Sequence, residues 1–331
     1  MMYKILKKFL LVLSMILALM ILLMLTPRIW SALNPEKPPM GYYFLAPTVL
    51  AVYTGIESLA EKMPKVPDNV EVAKNIEYKN CNGKSLQMDI YQAKNSSKPA
   101  PMLVFIHGGG WSHGDRNEYL GYALYFANLG YTTATLTYRV VKDAPYPACV
   151  ADVTDAVAFI FRNSGKYHFD PDRVALVGGS AGSHLAMLAA YGWRRQGSVM
   201  DTIFTAVVSH RIKAVVEMYG PVDFTTEYAR KQSMVTRLMG HSYQETPQLY
   251  AEASPINWVD KNAPPTLILQ GTRDMLVPLS QAELLKRKLD SLGVACIYRP
   301  LPGWPHTMDL VKRVNDYFKV TMLEFFEQYV Q

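Results

Sequence analysis

Short apolar runs alternate with amphipathic stretches along most of this chain, and their order predicts a sheet covered by helices. Met102 to Ile106, Thr132 to Tyr138, Val174 to Val177, Ala214 to Tyr219, Pro265 to Gly271 and Ala295 to Arg299 read as strands. Asn117 to Leu129, Cys149 to Arg162, Ser280 to Leu292 and Val311 to Tyr329 read as helices between or after them. This alternation implies the α/β class, with a mainly parallel central sheet and helices on both faces. Phe224 to Asn262 is longer than a plain crossover needs and is expected to hold short helices beside a pocket mouth, with Ser254-Pro255 at its exit.

The N-terminus follows another pattern. Phe9 to Leu25 is apolar apart from Ser14, preceded by Lys4, Lys7 and Lys8 and closed by Thr26-Pro27-Arg28. Bulky Ile29, Trp30 and Leu33 interrupt Ser31-Ala32, so no small-x-small cleavage site stands out. Residues 1–30 therefore read as an uncleaved signal anchor, a transmembrane helix with its lysines in the cytoplasm and the remainder of the chain outside. A secreted form after signal cleavage is the alternative. Six prolines between Pro35 and Pro67 mark residues 31–74 as a linker, with one possible helix from Val49 to Lys62, expected to pack on the domain of residues 75–331; an apolar face laid on the membrane or over the active site is the alternative for that helix.

Composition changes this picture little. Half of the 331 residues are hydrophobic, enough for one large core. The net charge of +6 could suggest nucleic acid, but Lys4, Lys7, Lys8 and Arg28 supply most of it and the rest forms no patch, so no nucleic-acid partner is expected. Cys81, Cys149 and Cys296 are too scattered for a zinc site. With no Walker motif, no dinucleotide fingerprint and no metal-ligand cluster, no cofactor is expected.

Candidate chemistry sits where strands end. Gly178-Gly179-Ser180-Ala181-Gly182 lies between an apolar strand and a run of helix formers, the context of a nucleophile elbow. Such a turn strains the serine backbone, holds the Ser180 hydroxyl clear and leaves the Ala181 amide free at a helix N-terminus. Upstream, Met102 to Ile106 runs into His107-Gly108-Gly109-Gly110-Trp111, where the amides of Gly108, Gly109 and Gly110 are candidates to complement Ala181 around an oxyanion. A serine hydroxyl needs a base and the base an orienting carboxylate, and after an elbow of this kind the acid comes next and the histidine last. Asp274 follows the strand ending at Gly271, and His306 is the one histidine beyond it. Asp223, also after a strand, is the rival acid, with capping of the next segment as its other role. His184 is expected to pack in its helix, and His113, His168, His210 and His241 to be solvated. Trp111 and Trp304 are expected to line the pocket.

These residues resemble the α/β-hydrolase superfamily, specifically esterases and lipases with an HGGGW motif, near the acetylxylan and feruloyl esterase-like and hormone-sensitive-lipase-like groups. The resemblance covers roughly residues 75 to 328 and includes Tyr138-Arg139 with Pro145-Tyr146-Pro147, Tyr219-Gly220-Pro221-Val222-Asp223, Ala253-Ser254-Pro255, and Gln270 to Asp274 with Val277-Pro278. Two positions depart from it. The elbow opens Gly178-Gly179 where hormone-sensitive-lipase-like enzymes show Gly-Asp, and Thr307-Met308 follow the histidine in place of a glycine and an aromatic residue. The resemblance implies hydrolysis of carboxylic esters through an acyl-enzyme, on short-chain or carbohydrate-linked acyl groups. The alternatives are membrane lipid esters, or a non-catalytic binding protein on the same fold. Implied partners are a small-molecule or glycan-linked ester and the membrane.

Overall fold

The computed structural model describes residues 2–94, 98–192 and 212–331. Its strands are β1 (Val70–Cys81), β2 (Lys84–Ala93), β3 (Ala100–Ile106), β4 (Thr132–Leu136), β5 (Phe169–Gly179), β6 (Ile212–Met218), β7 (Thr266–Gly271) and β8 (Cys296–Leu301). They form one sheet in the order β1-β2-β4-β3-β5-β6-β7-β8. The β1–β2 and β2–β4 pairs are antiparallel and the rest parallel. All seven residues of β3 are buried, as a strand covered on both faces must be. The β1–β2 hairpin went unread in the sequence; its signal is Asn82-Gly83, both at positive φ, the pair that suits a tight hairpin turn. It begins at Val70, within the stretch expected to be linker.

Helices α3 (Leu120–Asn128), α4 (Ala148–Arg162), α5 (Ala181–Tyr191), α9 (Leu279–Ser291) and α10 (Lys312–Tyr329) cover the sheet. One core face gathers α4, α5 and α9, the other α3 and α10. The expected helix from Asn117 is split, because Asp115 caps a separate 3₁₀ turn, Arg116–Tyr119, ahead of α3. Between β6 and β7 lie α6 (Glu227–Arg230), α7 (Ser233–Met239), α8 (Pro247–Glu252) and a 3₁₀ turn at Pro255–Trp258, the short helices expected there.

At the N-terminus, α1 (Met2–Leu33) is one long helix, apolar enough to cross a membrane, and its most apolar window is not buried at all. The next helix, α2 (Leu45–Tyr53), starts earlier than expected and stops at Tyr53 instead of Lys62. Two pairings pull the following chain out of helix. Glu57 turns inward to Tyr42 and Arg313, and Leu59 bridges to Val311. The segment packs on the domain as expected, with the amides of Gly41 and Tyr43 donating to the carbonyls of Pro302 and Gly303.

Candidate active site

β5 delivers Ser180 at φ 54°, ψ −120°, a backbone region that costs an ordinary residue about 1–3 kcal/mol. The surroundings leave no slack. A Cβ on Gly178 would lie 2.3 Å from the Gly182 backbone, and one on Gly182 would lie 2.0 Å from the Ile106 carbonyl oxygen. The glycines thus let β3, β5 and α5 meet at the turn, and the Ser180 amide is anchored on the Met218 carbonyl at 2.8 Å.

The serine, acid and histidine singled out from the sequence come together. Ser180 Oγ lies 3.0 Å from His306 Nε2, and His306 Nδ1 lies 2.6 Å from Asp274 Oδ2. An ionised carboxylate only accepts, so Nδ1 carries the proton and Nε2 is left to accept from the serine hydroxyl. Asp274 is fixed from all sides: Oδ1 accepts the amides of Leu276 (2.9 Å) and Val277 (2.8 Å), and Oδ2 accepts Gln270 Nε2 (3.1 Å). The histidine loop is stitched to the acid loop by the Arg273 amide on the Trp304 carbonyl and the Gly303 amide on Thr272 Oγ1.

Ser180 and His306 face a cavity of about 630 Å³, which Gly108, Gly109, Gly110 and Trp111 also line. Gly109 stands at φ +97° with the His113 carbonyl oxygen 2.2 Å from where a Cβ would be, so that turn admits glycine alone. His107 braces the loop from behind: its ring stacks on Tyr138, whose hydroxyl donates to the carbonyls of His107 and Gly108. Burial lowers the His107 pKa to about 4, so the ring is neutral. The Ala181 amide sits at the first position of α5, directly after Ser180.

His184 is fully buried in α5 with Nε2 2.7 Å from the Ala253 carbonyl, and burial holds its pKa near 4. His113, His168 and His241 are exposed, and His210 lies outside the described residues. Asp223 accepts the Thr225 amide and hydroxyl at 2.8 and 2.7 Å, the local capping role, while the acid beside His306 is Asp274. Trp304 is corrected. It does not line the cavity but is fully buried, its indole donating to the Pro39 carbonyl beneath the Arg313 guanidinium.

Sequence reasoning missed a second buried group beside His306. The Tyr219 ring stands edge-on 4.9 Å from the imidazole, and its hydroxyl donates to Asp309 Oδ1 at 2.6 Å. Tyr122 donates to the other oxygen at 3.3 Å. Burial pushes the Asp309 carboxyl upward in pKa, opposed by these hydroxyls and by the nearby His306. Glu217, also missed, is wholly buried on β6 and accepts the Gly220 amide and the Ser183 hydroxyl next to the elbow. Burial, with a smaller push from the Asp274 charge, raises its pKa to about 8. Asp309 lies three residues past His306 and Tyr219 ends a strand; only the fold places them together.

Comparison with known proteins places this geometry. The BD-FAE family model matches residues 88–289, more than half of the chain and all of the elbow and glycine loop. The chain belongs to the BD-FAE family. Among relatives of this family member, esterase LipC of Mycobacterium tuberculosis is 34% identical over 236 residues, 68% of this chain and 57% of its own. The chain thus spans little more than half the length of the curated relatives it matches. Among solved structures, a truncated carbohydrate esterase from gut microbiota aligns with TM-score 0.67 at 24% identity, over 78% of this chain and 95% of that one. An acetyl ester-xyloside bifunctional hydrolase from Caldicellulosiruptor lactoaceticus aligns with TM-score 0.65 at 26% identity, over 75% and 89%. The fold is that of the α/β hydrolases.

Proposed function

We propose that the chain is a serine carboxylic-ester hydrolase in which Ser180 is the nucleophile, His306 the general base and acid, and Asp274 the orienting carboxylate. The observation that carries this is the unbroken hydrogen-bonded run Ser180–His306–Asp274 at the wall of the cavity. His306 takes the hydroxyl proton as Ser180 attacks the ester carbonyl. The amides of Ala181 and the Gly108–Gly110 loop receive the developing oxyanion, each worth about 3 kcal/mol of barrier when well aimed. The alcohol leaves with the proton from His306, and water, activated by the same imidazole, hydrolyses the acyl-enzyme.

The names of the relatives and structural neighbours make acetyl and other short acyl esters, carbohydrate-linked ones included, the first substrates to try. The proposed organisation is an anchor (1–30), a linker (31–74) and a catalytic domain (75–331) on the extracytoplasmic side of the membrane. A second reading, esters held in the membrane, is favoured by the apolar surface beside the cavity. A panel of p-nitrophenyl esters of increasing chain length, run on wild type and on Ser180→Ala, tests the activity. Wild type should turn over the short esters, and the alanine variant should lose about 10⁴-fold or more in kcat. Equal rates in the two proteins would refute the assignment.

A further inference from the structure

We propose that α2 and the chain flanking it form a bilayer-docking face that feeds membrane-dissolved esters to the Ser180 cavity. Helix α2 carries no charged residue; Thr48 and Ala51 are buried, while Leu45, Val49 and Tyr53, four residues apart, point outward and are 65%, 58% and 88% exposed. Phe44, just before the helix, is 69% exposed. A helix on a water-facing surface puts polar side chains on that side, whereas an interfacial helix sinks such a stripe into the boundary between headgroups and acyl chains.

Position decides the occupant. Helix α1 joins the domain beside α2: Met24 packs against the core, Pro27 is buried, and the Arg28 guanidinium donates to the Ile56 carbonyl just beyond α2. Arg313 ties the junction further by donating to Ser31 Oγ at 3.0 Å and to the Met40 carbonyl at 2.7 Å. Ahead of that junction, Phe9 to Leu23 stand out from the domain and span roughly 22 Å, most of the depth of a bilayer's hydrocarbon core, with Lys4, Lys7 and Lys8 at the far end. The bilayer that α1 enters therefore lies against the exposed side of α2. The same chain then runs to the cavity, since the Ala60 amide donates to the Leu310 carbonyl and Lys62 and Met63 line the mouth. Leu59 and Met63 place apolar side chains along this path, 55% and 63% exposed, with the charged Glu61 and Lys62 exposed between them. This path brings an ester dissolved in the membrane to the mouth of the cavity that Ser180 lines.

The substrate class so assigned is a short acyl group on a long hydrocarbon alcohol, and it rests on the ester hydrolysis proposed above. The test uses the full chain in phosphatidylcholine vesicles, with hexadecyl acetate dissolved in the bilayer and p-nitrophenyl acetate in the water; both give the same acetyl-enzyme. In a Val49→Glu, Tyr53→Glu double variant, hexadecyl acetate turnover should fall about tenfold, because two charges now face the headgroup boundary. Turnover of p-nitrophenyl acetate should stay at the wild-type rate, which also shows that the variant is folded. Equal change in the two rates, no change in either, or a wild type that cleaves only the aqueous ester would overturn the docking face and leave the esterase standing. A wild type inert to both esters would remove the esterase, and the docking proposal with it.

Discussion

At the scale of single residues, the three side chains that meet at Ser180 were legible because chain order and motif chemistry restrict the choice. Asp274 and Asp223 both follow strands, and only geometry separates a carboxylate beside the imidazole from one spent on its own loop. Asp274→Asn should therefore lower kcat by about 10⁴-fold, since the imidazole loses the partner that fixes its tautomer, while Asp223→Asn should leave turnover near wild type. The reverse order in a steady-state assay would name Asp223 as the acid. Trp304 was misplaced because a tryptophan next to a site histidine looks the same in sequence whether it lines a pocket or packs beneath one. Glu217 was invisible for a similar reason: a lone glutamate in an apolar strand gives no hint that it is sealed from water. Its raised pKa has a consequence for stability. Below pH 4.5 both folded and unfolded chains hold the proton, and between there and about 8 only the folded chain does. Stability from this group thus falls as pH rises through that window and is flat above it. Glu217→Gln mimics the protonated form, so its Tm advantage over wild type should grow from pH 5 to pH 9; an offset that does not vary with pH would contradict the burial effect.

At the scale of elements, the parallel strands were readable as unbroken apolar runs, and the helices around them as amphipathic stretches of ordinary length. The antiparallel hairpin was not, because β1 is half-exposed and its residues alternate too loosely to stand out from linker. The end of α2 was missed because it is set by contacts to residues more than 200 positions away, Arg313 and Val311, which no local pattern encodes. The elbow is the element on which the site depends most. A methyl group at Gly182 would be driven into the Ile106 carbonyl, backbone that cannot move without breaking β3. Gly182→Ala should lower Tm sharply and reduce turnover with it. Gly165→Ala, where nothing lies within 4 Å of the added carbon, should be silent in both. Comparable Tm values for the two variants would show that the elbow tolerates a side chain.

At the scale of the whole molecule, a domain of α/β-hydrolase fold and an apolar N-terminal helix are joined by a segment that is bound down along its length. Arg313 is the pin, reaching Glu57, Ser31 and Met40 at once. If α1 is an uncleaved anchor, full-length protein should stay in the membrane pellet after alkaline carbonate extraction and retain its first residues by N-terminal sequencing. A soluble chain beginning beyond Leu25 would establish a cleaved leader instead. The proposed chemistry requires the Ser180 hydroxyl to be an activated nucleophile. The most direct measurement is covalent trapping: full-length protein treated with a fluorophosphonate ester, then digested and read by mass spectrometry. One phosphonyl group per chain should appear on the peptide carrying Ser180, with labelling slowed strongly in His306→Ala and absent in Ser180→Ala. Labelling at another residue, or at Ser180 with the same rate in the histidine variant, would contradict the proposed chemistry.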